Sequence, residues 1–176
     1  MEDYTSADFA VGSYKGSTKF GIRRGFVPVD TSGIDDGATI TAGVLYFYPY
    51  NKGNDDNDGN DFIALVQTSQ ADATSLTAED YDQCGSVASP TEGATRVDLG
   101  NITINQYNNL TLDATGRGWI SKTGYSLLGL REGHDVVDEA IASTLKYNNL
   151  WICSSEDTSG TKDPYLDVTV EESSPL

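Results

Sequence analysis

Apolar and polar residues alternate with a period of two at several places along the chain. In YLDVTVEE, Leu166, Val168 and Val170 share one side while Asp167, Thr169 and Glu171 share the other, which predicts a strand with one buried and one wet face. NNLTLDA repeats the pattern with Leu110 and Leu112 inward, and NLWICSS sets Leu150 and Ile152 against Trp151 and Cys153. VLYFYPY and FIALVQT are apolar on both sides. Each is therefore predicted either to run through the middle of a sandwich or to cover a contact with another chain.

Helical periodicity is scarce. SLTAEDYDQ opens on Ser and Thr and places Glu79 and Asp80 early, the signature of one or two helical turns. ATGRGWISKTG predicts another short piece, with Trp119 and Ile120 docked inward and Gly124 closing it. Turn-forming stretches, among them TSGIDDG, NKGNDDNDGN, SPTEG and SGTKDP, fall at the spacing of an all-β sandwich. Neither an internal repeat nor a Pro-rich linker divides the sequence. The expectation is one all-β domain over residues 1–176, an antiparallel β-sandwich of jelly-roll type with one or two short helical turns.

Length agrees, because 176 residues suit a single core and crowd two. Charge narrows the partners. With 27 acidic residues against 11 basic ones, the formal charge of −16 repels phosphate backbones and anionic lipid surfaces at low salt, which argues against nucleic acid. No run is long enough to span a bilayer, and MEDYTSADF lacks the basic and apolar regions of a signal peptide, so a soluble chain without membrane insertion is expected.

Catalytic signatures are missing from the sequence. His134, within LREGHDVVDE, is the single histidine, and no G-x-S-x-G, GxxxxGK[ST], G-x-G-x-x-G or H-E-x-x-H motif occurs. A structural or metal-adjacent role is expected for it. Glycoside hydrolysis needs only two carboxylates, but abundant carboxylates single out no pair. The expectation is a protein that is not an enzyme.

NKGNDDNDGND, residues 51 to 61, lies between the two doubly apolar runs and is crowded with Asp and Asn. Asn54, Asp56, Asp58 and Gly59 match positions one, three, five and six of a calcium loop. Position twelve is Leu65 instead of a bidentate Glu, so this is no EF-hand. A different calcium loop, completed by Asp61, stands beside a solvated hairpin whose charges keep an edge from pairing. A second acidic cluster, Asp135, Asp138 and Glu139, carries the same two readings.

Cys84 and Cys153 allow one disulfide, and their spacing does not decide whether it forms. Tyr46, Tyr48 and Tyr50, with Tyr107 and Tyr147, are candidates for an interface or for a face that stacks on sugars. Asn101 and Asn109 begin glycosylation tripeptides, which occur often by chance.

Four segments, RRGFVPVDTSGIDDGATITAGVLYFYP from Arg23, TSLTAEDYDQCG from Thr74, YNNLTLDATGRGWISKTGYSLLGLREGHD from Tyr107 and SGTKDPYLDVTV, together resemble the DNRLRE-type β-sandwich modules of bacterial and phage surface proteins. The resemblance implies a jelly-roll like that of carbohydrate-binding modules, carried extracellularly or on a virion surface, without catalytic residues. It supplies no ligand residues. Related chains place a further strand before the segment matching DYTSADFAVGS; two readings stand here, that MEDYTSADF supplies the first strand, or that its lack leaves an open sheet edge that a strand of a neighbouring subunit completes. Two functions follow as expectations: a structural or adhesive subunit, such as a virion decoration or tail fibre component stabilised by calcium, or a carbohydrate-binding module that takes glycans.

Overall fold

The computed structural model describes residues 8–142, 145–156 and 160–171. Its strands, in chain order, are β1 (Asp8–Lys15), β2 (Phe20–Arg23), β3 (Gly25–Asp30), β4 (Thr39–Phe47), β5 (Pro49–Asn54), β6 (Phe62–Gln67), β7 (Val97–Asp98), β8 (Asn108–Thr111), β9 (Tyr125–Glu132), β10 (Lys146–Cys153) and β11 (Tyr165–Glu171). Two single-turn helices, α1 (Ala114–Arg117) and α2 (Gly133–Val137), join them, with 3₁₀ turns at Ala78–Gln83 and Leu99–Asn101. Strand pairing is antiparallel throughout, in three sheets of order β2-β1-β10-β5, β11-β4-β8 and β3-β9-β6-β7.

All three sheets bury one face in a common core. Val11, Leu150 and Ile152 enter it from the first sheet, Leu45, Phe47 and Leu110 from the second, and Val27, Ile63, Leu65, Leu128 and Leu130 from the third. The alternation that predicted Leu110, Leu112, Leu150 and Ile152 as inward residues is the alternation observed. The sandwich is all-β and antiparallel as expected, although its strands divide four, three and four instead of into the two four-stranded sheets of an ideal jelly roll.

FIALVQT does run through the middle of a sheet, with Phe62 to Val66 all buried between β9 and β7. VLYFYPY differs. Leu45 and Phe47 are buried while Val44 and Tyr46 are half-buried, so β4 has an inner and an outer face and owes its apolar outer side to a tyrosine cluster. Only Tyr48 separates β4 from β5, and the chain passes there directly from the second sheet into the first. Val170, expected inward, is exposed: it follows a register shift between Thr169 and Val170 near the end of the edge strand β11, whereas Leu166 and Val168 before the shift pack against the core.

Thr77 begins the 3₁₀ turn with a reciprocal cap: Asp80 accepts hydrogen bonds from the Thr77 amide and hydroxyl. The ATGRG segment makes only the one turn of α1, capped by the Asp113 carboxylate and ending at Gly118, not Gly124. Trp119 and Ile120 then dock on the core as expected. GHDVV forms α2, a helix that the sequence pattern did not predict.

The predicted open edge lies elsewhere than expected. β1 is paired on both sides, by β10 and by β2, so the outermost strand there is the four-residue β2. The start of MEDYTSADF lies outside the described residues.

At the end of β9 the guanidinium of Arg131 has no access to solvent. It donates to the Asp135 carboxylate and carbonyl and to the carbonyls of Cys84, Ser86 and Val87, at 3.3 Å for Cys84 and 2.7 Å for Val87. Arg24 donates to the other side of the same carboxylate at 2.8 and 2.9 Å and lies over the Tyr81 ring. Removing a buried charge partner strands the remaining polar groups, at a cost of about 3–5 kcal/mol. Arg131→Met should therefore lower the urea midpoint of unfolding by that scale of free energy or prevent folding. A loss below about 1 kcal/mol, the worth of an exposed ion pair, would contradict the assignment.

Candidate metal centre

β5 reaches its end at Asn54, and the acidic stretch proper is the turn from Asp55 to Asp61 that returns the chain into β6. Its path needs unusual backbone. Asn57 has φ 51° and Gly59 φ 101°, the left-handed conformations that Asn and Gly tolerate best. Asp58 accepts from the Asn60 amide at 2.9 Å, closing a local Asx turn. The loop is not freely solvated, because Asp61 is buried, accepting at 3.2 Å from both the Asp58 amide and the Asn148 side chain. Asn148, fully buried in β10, accepts in turn from the amides of Asp55 and Asp56.

The loop lies against α2. A Cβ on Gly133 would lie 2.0 Å from the Asn60 carbonyl oxygen, so only glycine lets the helix start and the loop approach this closely. The Glu132 carboxylate caps the helix by accepting from the His134 amide, and Asp138, in the left-handed region at φ 58°, ends it. That single turn aims the His134 ring at the loop. Nδ1 lies 2.9 Å from Glu132 Oε1, and Nε2 lies 3.2 Å from Asp58 Oδ2 and 3.6 Å from Asp56 Oδ2. One ligand atom each from Asp56, Asp58 and His134 fall within 4.8 Å of one another.

Burial grades across the group: the side chains of His134, Asp56 and Asp58 are 2%, 9% and 36% exposed. Asp58 is the side of the cluster open to solvent. Asp56 Oδ2 is buried and accepts no hydrogen bond, and Asn54 Oδ1 is likewise buried without a partner.

Burial pulls the pKa of His134 down, but the hydrogen bond and charge of Glu132, with Asp58 behind them, outweigh it and raise the pKa to about 9. Asp58 moves the other way, held low first by the Asn60 amide and then, against its burial, by the His134 charge. Chemically the arrangement is an imidazole oriented by one buried carboxylate and facing two more, a geometry that holds either a proton or a cation between them.

Of the residues proposed from the sequence, Asp56 and Asp58 come together and Asp61 supports the loop from beneath. The second cluster does not assemble: Asp135 is taken by Arg24 and Arg131, Glu139 meets Asn60, and Asp138 is an exposed helix end. His134 and Glu132 are the members the loop pattern could not reveal. The only sequence signal for them is a charged run, REGHD, directly following the apolar SLLGL.

No disulfide joins Cys84 and Cys153, which are both buried. Cys84 lies beneath the Arg131 hub, with its sulfur 3.9 Å from the Gly25 carbonyl. Burial, against the pull of both arginines, pushes its thiol up to about 12, which leaves no reactive thiolate at neutral pH.

Tyr46 stacks on Tyr165 with ring centroids 4.7 Å apart, and Tyr107 meets Tyr165 and Tyr48 edge to face at 5.3 and 5.4 Å. Two hydroxyls there are committed to backbone: Tyr48 donates to the Asn105 carbonyl and Tyr107 to those of Thr161 and Asp163. Tyr50 stands apart, donating to Asp8 at 2.8 Å. Burial first, and the Asp8 carboxylate second, raise its pKa to about 12. Tyr147 stacks on Tyr14 with centroids 6.0 Å apart. Asn101 and Asn109 are exposed. Among the described residues, no helix is long and apolar enough to cross a membrane.

Comparison with family models finds no match, and comparison with curated proteins finds none.

The imidazole is protonated more tightly in the fold than in the unfolded chain, so its contribution to stability is complete below pH 6.5 and is lost as pH rises through about 9. In EDTA, the thermal midpoint should fall across that window, and His134→Gln should flatten the fall. An equal slope in the variant would show that His134 is not the titrating group.

Proposed function

We propose that this protein is a non-catalytic structural or adhesive subunit that works through protein–protein contacts, at a bacterial or virion surface as the DNRLRE-type resemblance implies. The observation that carries this is the edge strand β2. An outermost strand leaves a row of backbone donors and acceptors open to another chain, and soluble proteins protect such edges with charge or cover. Here Phe20 and Ile22 on the strand are 56% and 41% exposed, with the Lys15 ammonium 5.1 Å from the Phe20 ring centre as their charged neighbour. Pairing with a strand of a neighbouring subunit would satisfy the backbone and bury these side chains together.

The chemically capable groups support the same reading. The only histidine is held between carboxylates, the Cys84 thiol is buried, and the Asp135 carboxylate is neutralised by two arginines.

With a formal charge of −16, association between copies should strengthen as salt screens their repulsion. Size-exclusion chromatography with light scattering should show concentration-dependent association at high ionic strength. Phe20→Lys combined with Ile22→Lys should abolish it without altering the thermal midpoint. A monomer at every protein and salt concentration would contradict self-assembly.

The carbohydrate-binding alternative is favoured by one feature, the exposed Tyr165 ring (44%) in the tyrosine cluster outside β4. Stacking on a sugar should then be lost in Tyr165→Ala on a glycan array. An array without any binder would count against it.

A further inference from the structure

We propose that Asp56, Asp58 and His134 form a binding site for a first-row divalent transition metal ion, with Glu132 as its positioning residue. The site stands independently of the assembly reading.

Donor spacing is the first ground. A tetrahedral ion with bonds of about 2.0–2.1 Å needs neighbouring donors about 3.3–3.4 Å apart. His134 Nε2 lies 3.2 Å from Asp58 Oδ2 and 3.6 Å from Asp56 Oδ2, and the ligand atoms of all three residues lie within 4.8 Å of one another, so rotation of the aspartate side chains toward a shared ion completes three corners. The fourth corner falls to water, which enters over the partly exposed Asp58.

The second ground is Asp56 itself. Its side chain is nine-tenths buried, and Oδ2 reaches into the cluster while accepting no hydrogen bond. Burying a carboxylate oxygen without a donor is costly, and the cost is offset when a cation sits in front of it. The nearest positive group is the His134 ring, whose Nε2 at 3.6 Å lies beyond hydrogen-bond distance, so the oxygen accepts from no neighbouring amide or side chain.

The third is the support behind the imidazole. Glu132 Oε1 on Nδ1 fixes the ring orientation and keeps the Nδ1 proton in place, so that Nε2 is the nitrogen whose proton an incoming ion would displace, the arrangement that carboxylates provide for metal-ligating histidines. Glu132 is fully buried and its other oxygen is tied to the His134 amide, so this support is built into the helix cap.

Donor type selects the ion. Calcium takes six to eight oxygens, and an imidazole among three donors is foreign to that set. Imidazole with carboxylates suits zinc, cobalt or manganese. Two of the ligands come from the Asp55 to Asp61 turn and one from α2, so the ion would pin the loop to the helix.

The test uses untagged protein stripped with EDTA and titrated separately with zinc, cobalt(II) and calcium chlorides, read by calorimetry, by cobalt visible absorption and by the thermal midpoint. One equivalent of zinc or cobalt should bind, cobalt should develop ligand-field bands, and the midpoint should rise with ion concentration. Asp56→Asn and His134→Gln should each weaken binding about 100-fold or more, and Glu132→Gln about 10- to 100-fold. Asp56→Asn decides the matter if the buried histidine variant does not fold, because Oδ2 contributes no hydrogen bond to the loop. No binding of zinc or cobalt at millimolar concentration would overturn the proposal. So would binding that Asp56→Asn leaves unchanged, or a clear preference for calcium.

Discussion

The arrangement depends on one interaction, the fully buried guanidinium of Arg131 satisfied by the Asp135 carboxylate and by carbonyls of the 84–87 segment. A charge with no access to water must be matched donor by donor, and this one is. It ties the end of β9 and the α2 turn that directly follows to the loop after the 3₁₀ turn. Arg24, from the start of β3, closes the group from the far side. A five-residue helix has no stability of its own. α2 therefore exists because the hub holds Asp135 and because Glu132 caps it, and His134 is where it is because α2 exists.

Most of the framework was legible in the sequence because a strand with one buried face writes its pattern at every second residue. Leu110, Leu112, Leu150, Ile152, Leu166 and Val168 could be placed from alternation alone, and the doubly apolar FIALVQT proved to be a central strand. Thr77 with Asp80 announced a capped turn through local chemistry, which also needs no tertiary information. α2 was invisible for the opposite reason. Five residues are too few to show a helical period, and its polar members are buried by long-range pairing that spacing does not encode. Val44 and Tyr46 misled because an outer face covered by tyrosines reads like a buried one.

The site was half legible. Asp56 and Asp58 stood out because oxygen ligands cluster in loops. His134 did not join them in the sequence, since it lies 76 residues from Asp58 and meets it only through the fold. Asp61 was taken for a ligand because of its residue type, whereas burial and two hydrogen bonds make it a support. For the cysteines, their number permitted a bridge, and the fold buries both without one, Cys84 with its carbonyl on the Arg131 guanidinium.

Structure and function meet where the hub presents an oriented imidazole to an acidic loop in which a buried oxygen of Asp56 accepts no hydrogen bond. The most direct measurement is anomalous diffraction at the zinc edge from crystals grown with zinc. The account predicts a single strong peak about 2.0–2.2 Å from His134 Nε2 and the two aspartate oxygens. Density at that resolution with His134 Nε2 still hydrogen-bonded to Asp58, and no anomalous peak between them, would contradict it.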